Sequence, residues 1–267
     1  MMGNPVSFIC AATAHGMMIL PLHDYSKPDD SKGFVAGVGG MLLRDGIYGE
    51  ETLANIKAVL SHCKAKHGNG VVMIDGGANI GCFTLSAARF MAGWGSVLAF
   101  EPQHRIFMAL CGNLVMNNIE NVQAYPVALG DVNGTIEFPV PNYHHYGNFG
   151  GVSAINPLQG TFGQEVGTTA PVAVKCIDLF QLERLDFLKL DVEGMELLAL
   201  HGALKTLHLC RPIVMAEHMV CGAKPLEQFF SELGYSSVMV GGDLFAAPKH
   251  NEIIEQFIAL KQKAEAA

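Results

Sequence analysis

Residues 71–81 have the sequence VVMIDGGANIG, and residues 95–101 have the sequence GSVLAFE. The short apolar runs in both stretches are typical of strands buried in a parallel sheet. The glycines after the first run let the backbone turn sharply and approach a ligand without a Cβ clash. A helical pattern, CFTLSAARFMA, fills residues 82–92 between the two runs. This order of strand, turn, helix and strand predicts an α/β fold with a ligand-binding turn after the first strand.

The alternation of apolar strands and amphipathic helices continues along the chain. Helical spacing follows Glu51 and recurs over residues 103–118, and further strands are predicted within 122–131, 135–140, 170–177, 187–191 and 212–218. A parallel sheet of this kind is covered by helices on both faces and binds ligands beyond the carboxyl ends of its strands. We predict N-terminal strands and a helix packing on the core over 1–70, a binding domain over 71–250 and a C-terminal helix over 251–267.

The composition excludes several classes of protein. Half of the residues are hydrophobic and only 16% are charged, which excludes a disordered chain. The 17 Lys and Arg against 25 Asp and Glu give a net charge of −8, so we predict no nucleic-acid partner. Seven cysteines without a C-x-x-C pair predict reduced thiols and a cytoplasmic location. No apolar run is long enough to predict a membrane span.

The second strand ends in an acidic residue. Glu101 lies twenty residues after Gly81, at the end of GSVLAFE. A carboxylate at this point can accept hydrogen bonds from both hydroxyls of a ribose. The glycine turn and the spaced acid together predict a site for an adenosine compound.

Asp75, at the end of the first strand, decides between adenosine compounds. Pyrophosphate bound over the glycines would be repelled by this carboxylate, by roughly 4 kcal/mol per charge pair at 4 Å and an effective dielectric constant near 20. S-adenosylmethionine carries no phosphate, and its ammonium and sulfonium groups would be attracted. The residues therefore favour S-adenosylmethionine over a dinucleotide. The alternative interpretation is that Asp75 caps the following helix.

Five segments occur in the order IDGGANIGCFTL, AFEPQHRIFMALCGNLVMNN, VALGD, DFLKLDVEGMELLALHGA and RPIVMAEH. In this order they resemble the FkbM-type family of S-adenosylmethionine-dependent methyltransferases. The resemblance runs from about Val71 to His218. It implies a class I methyltransferase fold, which is a Rossmann-like seven-stranded sheet with one antiparallel strand. It also implies O-methylation, often of sugars or natural products.

The resemblance also implies which residues bind the cofactor. Gly76, Gly77 and Gly81 would form the cofactor turn with Asp75, Glu101 would bind the ribose, and Ala128 would border the adenine. The predicted cofactor-binding set is Asp75, Gly76, Gly77, Asn79, Gly81, Glu101, Pro102, Ala128 and Asp191.

Acidic residues also follow the later strands, where the methyl acceptor is expected. Asp191, Glu217 and His218 are the predicted catalytic residues, because methyl transfer to a hydroxyl needs a group that removes its proton. The same three residues are also candidate ligands of Mg²⁺, which would lower the pKa of the acceptor hydroxyl. The alternative is that Asp191 and the nearby Glu193 cap the next helix. Lys189, inside the apolar strand, either extends to solvent or pairs with an acid.

The segment 139–171 is too long and irregular for an ordinary connection. It contains Tyr143, His144, His145, Tyr146, Phe149 and Phe162, set among Gly and Asn. These side chains suit a lid that stacks on a polar organic acceptor, and the alternative is a surface insertion.

The leading hypothesis is a methyltransferase that acts on a hydroxyl of a small-molecule acceptor. The alternatives are a nicotinamide-dependent dehydrogenase and a non-catalytic protein that binds S-adenosylmethionine. Residues 1–50 are apolar enough to pack on a neighbouring subunit, so a homo-oligomer is a further prediction.

Overall fold

A computed structural model describes residues 6–25, 37–155 and 166–265 of the chain. Its strands are β1 (Phe8–Thr13), β2 (Gly16–Pro21), β3 (Val71–Gly76), β4 (Gly95–Phe100), β5 (Val122–Tyr125), β6 (Ala128–Leu129), β7 (Gly134–Pro141), β8 (Val166–Lys175), β9 (Phe187–Leu190), β10 (Ile213–Glu217), β11 (Tyr235–Val240) and β12 (Asp243–Pro248). Its helices are α1 (Val38–Asp45), α2 (Glu50–His67), α3 (Cys82–Phe90), α4 (His104–Met116), α5 (Glu196–His201), α6 (Leu204–Cys210), α7 (Ala223–Glu232) and α8 (Glu252–Glu265). A short 3-10 helix covers Ile177–Phe180.

Seven strands form the main sheet, in the order β11-β12-β10-β9-β3-β4-β5. Five neighbouring strands, from β10 to β5, are parallel. The strand β12 runs antiparallel to both of its neighbours. The predicted seven-stranded, mostly parallel sheet with one antiparallel strand is therefore confirmed.

Most apolar residues of the sheet belong to two large cores, one on each face. One face packs on α2, α3 and α8 through residues such as Leu60, Met73 and Phe257. The other face packs on α5, α6 and α7 through residues such as Leu188 and Phe230. Helices on both faces leave the carboxyl ends of the parallel strands as the edge where ligands can bind.

A smaller sheet adds to this frame, in the order β6-β8-β7. The single strand predicted over residues 122–131 is in fact two strands, since β5 joins the main sheet and β6 pairs with β8. Pro126 lies between them, and its lack of an N–H group prevents a continuous ladder. The strands predicted at 135–140 and 170–177 correspond to β7 and β8, which pair antiparallel.

The N-terminal strands form a hairpin that packs on α4. The side chain of Asn113 fixes this contact, because its Oδ1 accepts a hydrogen bond from the N–H of Ile19 at 2.6 Å. The hairpin is thereby held against α4. Across the described ranges, no helix combines the length and apolar character needed to cross a bilayer.

Candidate functional site

A cavity of about 270 Å³ lies at the carboxyl ends of β3, β4, β9 and β10. Of the predicted cofactor-binding residues, the structure places Gly77, Asn79, Glu101, Pro102, Ala128 and Asp191 in its lining. Asp75, Gly76 and Gly81 do not line the cavity. The structure therefore brings the predicted residues together, although three of them do not line the cavity.

The glycine turn lies close to the backbone of the neighbouring strand. Gly77 has a φ of +73°, and a Cβ at this position would lie 1.7 Å from the carbonyl oxygen of Asp191. The N–H groups of Gly77 and Ala78 both donate to the carbonyl of Phe100, at 3.0 and 2.9 Å. Only glycine fits at this close approach, so the DGGANIG motif encodes the shape of the cavity floor.

Glu101 is buried and organises the turn as well as facing the cavity. Its Oε2 accepts a hydrogen bond from the N–H of Asn79 at 2.9 Å, and its Oε1 accepts one from the N–H of Gln103 at 2.8 Å. Burial raises the pKa of Glu101 to about 7, although the two N–H donors oppose this effect. Each carboxylate oxygen keeps a second lone pair, so the group can still accept bonds from a ligand.

Asp75 does not have the surroundings that its sequence position predicts. Its carboxylate is fully buried, with Thr84 donating to Oδ2 at 2.6 Å and Lys189 Nζ lying 2.9 Å from Oδ1. Asp75 and Lys189 are direct neighbours across β3 and β9. The charge of Asp75 is thus paired with Lys189 beneath the cavity, and its attraction for the ligand, direct or through water, stays a prediction.

Three other acids line the cavity instead. Asp191, Glu193 and Glu217 follow or end the strands β9 and β10. Burial and the charge of Asp191 raise the pKa of Glu193 to about 9 and that of Glu217 to about 8. Carboxyl groups this close resist ionising together, so a cation bound among them would be stabilised.

Lys189 connects this acidic wall to Asp75. Its side chain is buried, and its Nζ lies 3.7 Å from Asp191 Oδ2 and 5.3 Å from the centroid of the Phe83 ring. Burial opposes the ammonium charge, but Asp75 and Asp191 outweigh burial and raise the pKa of Lys189. Of the two predicted alternatives for Lys189, pairing with an acid is confirmed.

Glu196, rather than Asp191 or Glu193, accepts hydrogen bonds from the loop after β9. Glu196 Oε1 accepts hydrogen bonds from the N–H groups of Val192 and Gly194, at 3.0 and 3.2 Å. The loop needs this support because Glu193 and Gly194 both have positive φ angles, +54° and +96°. Asp191 and Glu193 are thus left to face the cavity, and neither of them caps α5, whose N-cap residue is Met195 without a side-chain cap bond.

His218 is the one predicted catalytic residue that the structure leaves outside the cavity lining. Its Nε2 lies 3.4 Å from the carbonyl oxygen of Gly241. Within the described ranges, no group of three or more His, Cys, Asp or Glu side chains is arranged to hold a metal ion. The magnesium site predicted from Asp191, Glu217 and His218 is therefore not formed by these residues.

The segment predicted as a lid supplies a wall through different residues. Tyr143 is only 5% exposed and donates to Gln103 Oε1 at 3.1 Å, so it belongs to the core. His144, His145 and Tyr146 do not line the cavity, whereas Asn148, Gly150, Gly151 and Val152 do. Phe149 is buried, and Phe162 lies outside the described residues.

Sequence reasoning missed one side of the cavity. Gly37, Val38 and Met41 at the start of α1, together with Tyr48 in the next connection, form this side. Phe83 also lines the cavity, and its ring centroid lies 5.6 Å from that of Tyr48. The glycine-rich sequence of 37–40 gives no helical signal, because glycine disfavours helix formation.

A comparison with known sequences identifies the family. The profile of the methyltransferase FkbM domain matches residues 75–237, which is more than half of the chain. The chain belongs to the FkbM methyltransferase family. The resemblance seen in the sequence is thereby confirmed, and the strand order of the main sheet is that of the class I methyltransferase fold.

Individual relatives of the chain are distant. Methyltransferase 1 of Beauveria bassiana (strain ARSEF 2860) is 29% identical over 49% of this chain and 57% of its own length. Methyltransferase sdnD of Sordaria araneosa is 27% identical over 61% of this chain and 73% of its own length. The crystal structure of methyltransferase FkbM from Methylobacillus flagellatus KT is 16% identical, with a TM-score of 0.49, over 67% of this chain and 43% of that chain. The match thus spans less than two thirds of the Beauveria and Methylobacillus proteins.

Proposed function

We propose that this FkbM methyltransferase transfers the methyl group of S-adenosylmethionine to a hydroxyl of a small polar acceptor, such as a sugar or a natural product. Membership of the family supports methyl transfer, and the cavity supports the choice of cofactor. The acceptor class and the transfer to oxygen rest on the resemblance to FkbM-type enzymes and on the chemistry of the cavity wall.

The acidic composition of the cavity lining is the observation that carries the proposal. Glu101, Asp191, Glu193 and Glu217 line it, and none of the lining residues from the described ranges is Lys, Arg or His. Such a cavity favours a cation and repels phosphate groups. S-adenosylmethionine is a cation without phosphate, whereas a nicotinamide dinucleotide carries a pyrophosphate.

The two ends of the cavity suit the two parts of the cofactor. Glu101, with its free lone pairs, would bind the ribose hydroxyls, and the apolar Val127, Ala128 and Leu129 would border the adenine. Asp191 lies against the glycine turn, where Gly77 nearly touches its carbonyl, and would hold the ammonium group. The residues present therefore fit an adenosyl cation.

The acceptor would lie over the ends of β9 and β10. When bound, S-adenosylmethionine supplies an electrophilic methyl group on a sulfonium, so the protein must position the acceptor and remove its proton. Glu217 lines the cavity, and its pKa of about 8 lies close to the operating range of a general base. We assign Glu217 as the group that takes the hydroxyl proton, with Asp191 beside it.

A thermal-shift comparison tests the choice of cofactor. The proposal expects S-adenosylhomocysteine at a hundred times its Kd to stabilise the protein by about 2.7 kcal/mol, whereas NADH leaves the melting temperature unchanged. Stabilisation by NADH alone would support the dehydrogenase. Methyl-labelled S-adenosylmethionine offered with a panel of sugars and hydroxylated natural products then tests transfer. Cofactor binding without transfer to any acceptor would favour the non-catalytic binding protein.

A further inference from the structure

Asp24 lies outside the region that matches the family, yet it contacts the cavity wall. It is 1% exposed and lies between the N-terminal hairpin and α1. Its Oδ2 accepts a hydrogen bond from the N–H of Gly39 at 2.7 Å, and its Oδ1 accepts one from the N–H of Phe149 at 2.8 Å. One carboxylate thus joins the start of α1 to Phe149, which lies 125 residues after Asp24.

The local backbone is shaped around this carboxylate. A Cβ on Gly37 would lie 2.2 Å from Asp24 Oδ1, so only glycine leaves room for the side chain. The carbonyl of Asp24 accepts further bonds from the N–H groups of Gly37 and Gly40, at 2.9 and 3.2 Å. Among the described residues, Asp24 has no ion-pair partner, so backbone N–H groups alone compensate its burial.

Phe149 is held from its other side as well. Gln103 Nε2 donates a hydrogen bond to the carbonyl oxygen of Phe149 at 2.7 Å. The other side-chain atom of Gln103, Oε1, accepts a hydrogen bond from the hydroxyl of Tyr143. Next to this anchor, the N–H of Gly147 donates to the carbonyl of His23 at 3.1 Å. The position of Phe149 is therefore fixed by contacts from both the N-terminal segment and the start of α4.

The residues around Phe149 face the proposed cofactor. Asn148, Gly150, Gly151 and Val152 line the cavity, and a Cβ on Gly150 would lie 2.8 Å from Asn79 Nδ2. The wall thus closes directly onto the glycine turn. A displacement of Phe149 would open the cavity at the place where Asn79 and Glu101 bind the adenosyl group.

We propose that Asp24 is a positioning residue that holds the wall 148–152 (residues Asn148 to Val152) against the glycine turn and so retains the cofactor. This inference rests on the proposed binding of S-adenosylmethionine. It assigns to the N-terminal segment, outside the matched region 75–237, a part in cofactor affinity.

The test compares the buried Asp24 with Asp178, a partly exposed aspartate that also accepts backbone hydrogen bonds. Asp178 also accepts backbone hydrogen bonds, from Lys205 and Thr206 at the start of α6, but does not line or contact the cavity. We expect Asp24→Ala to raise the Kd for S-adenosylhomocysteine by about tenfold or more in calorimetry. We expect Asp178→Ala to lower the melting temperature but to leave that Kd within about twofold of the wild-type value.

Hydrogen exchange supplies a readout that a purely structural role would not change. In Asp24→Ala, the amides of the wall 148–152 should exchange faster, and S-adenosylhomocysteine should protect them less than in the wild type. Asp24→Asn keeps one acceptor oxygen, so its Kd should lie between those of the wild type and Asp24→Ala. Equal Kd values for all three proteins would overturn the proposal and leave the proposed function intact.

The wild-type protein gives a second test that needs no variant to fold. Addition of S-adenosylhomocysteine should slow exchange in the wall 148–152, while the amides of Lys205 and Thr206 should be unaffected. Binding without added protection of this wall would overturn the role of Asp24. Absence of any binding would instead overturn the proposed function, and the role of Asp24 with it.

Discussion

Glu101 shows how one carboxylate can serve both the fold and the ligand. It accepts bonds from the N–H groups of Asn79 and Gln103 and faces the cavity. We expect Glu101→Ala to weaken the binding of S-adenosylhomocysteine by roughly 1.5–3 kcal/mol, the usual contribution of hydrogen bonds to a charged group. Calorimetry measures this difference. Glu120→Ala, at an exposed site, is the control, and an unchanged affinity in Glu101→Ala would contradict the ribose assignment.

Lys189 supports a prediction on stability at the same scale. Removing its ammonium leaves Asp75 buried without a cation, so Lys189→Met should lower the free energy of unfolding by about 3–5 kcal/mol. Urea unfolding measures this loss. The matched control is the exposed pair Arg44–Asp45, where solvent screens the charges and Arg44→Met should cause a much smaller loss. Similar losses in both variants would show that the buried pair contributes no more to stability than the exposed pair.

The surroundings of Glu101 are easier to predict from the sequence than those of Asp75, for a physical reason. Glu101 is identified by its spacing from the glycine turn, and this spacing fixes its place at the end of β4. The environment of Asp75 depends on which residue of β9 lies beside it, and that register is a long-range property. The lysine within an otherwise apolar strand was the available signal, since a buried ammonium needs an anion.

At the scale of the element, the turn after β3 depends on one glycine. Gly77 and Gly46 have nearly the same φ, +73° and +74°, but only the Gly77 position is crowded by neighbouring atoms. Gly46→Ala should therefore cost about 1–2 kcal/mol for the left-handed backbone alone. Gly77→Ala should cost clearly more and should abolish binding of S-adenosylhomocysteine, because the turn must move away from Asp191. Urea unfolding and calorimetry measure the two effects, and equal losses of stability would contradict the close approach.

The elements themselves were predictable to different degrees. The strands β3, β4, β9 and β10 carry short apolar runs, so local sequence was sufficient to place them. The helix α1 was missed, because its glycines have low helix propensity and its N–H groups depend on the distant Asp24. The pairing of β6 with β8 was likewise invisible, since it joins residues separated by more than forty positions.

On the scale of the whole molecule, the acidic cavity couples folding to pH. A carboxyl group whose pKa is raised on folding binds more protons in the folded than in the unfolded state, so stability falls as pH rises. The pKa values of Glu217 and Glu193 rise on folding from the ordinary 4.5 to about 8 and about 9. The ligand-free protein should therefore lose stability as the pH rises through this range. Buried His15 acts in the opposite direction, because burial lowers its pKa and stability is gained as it loses its proton.

A comparison of the wild type with Glu217→Gln isolates the contribution of Glu217 to the pH dependence of stability. The amide cannot ionise, so the melting temperature of Glu217→Gln should exceed that of the wild type increasingly as pH rises from 5 to 9, and the two should converge near pH 5. Calorimetric melting across this range measures the difference, and Glu120→Gln is the exposed control. S-adenosylmethionine should reduce the difference, because its cation stabilises the ionised carboxylate. A gap that is constant with pH would mean that Glu217 titrates normally and is not the buried base of this cavity.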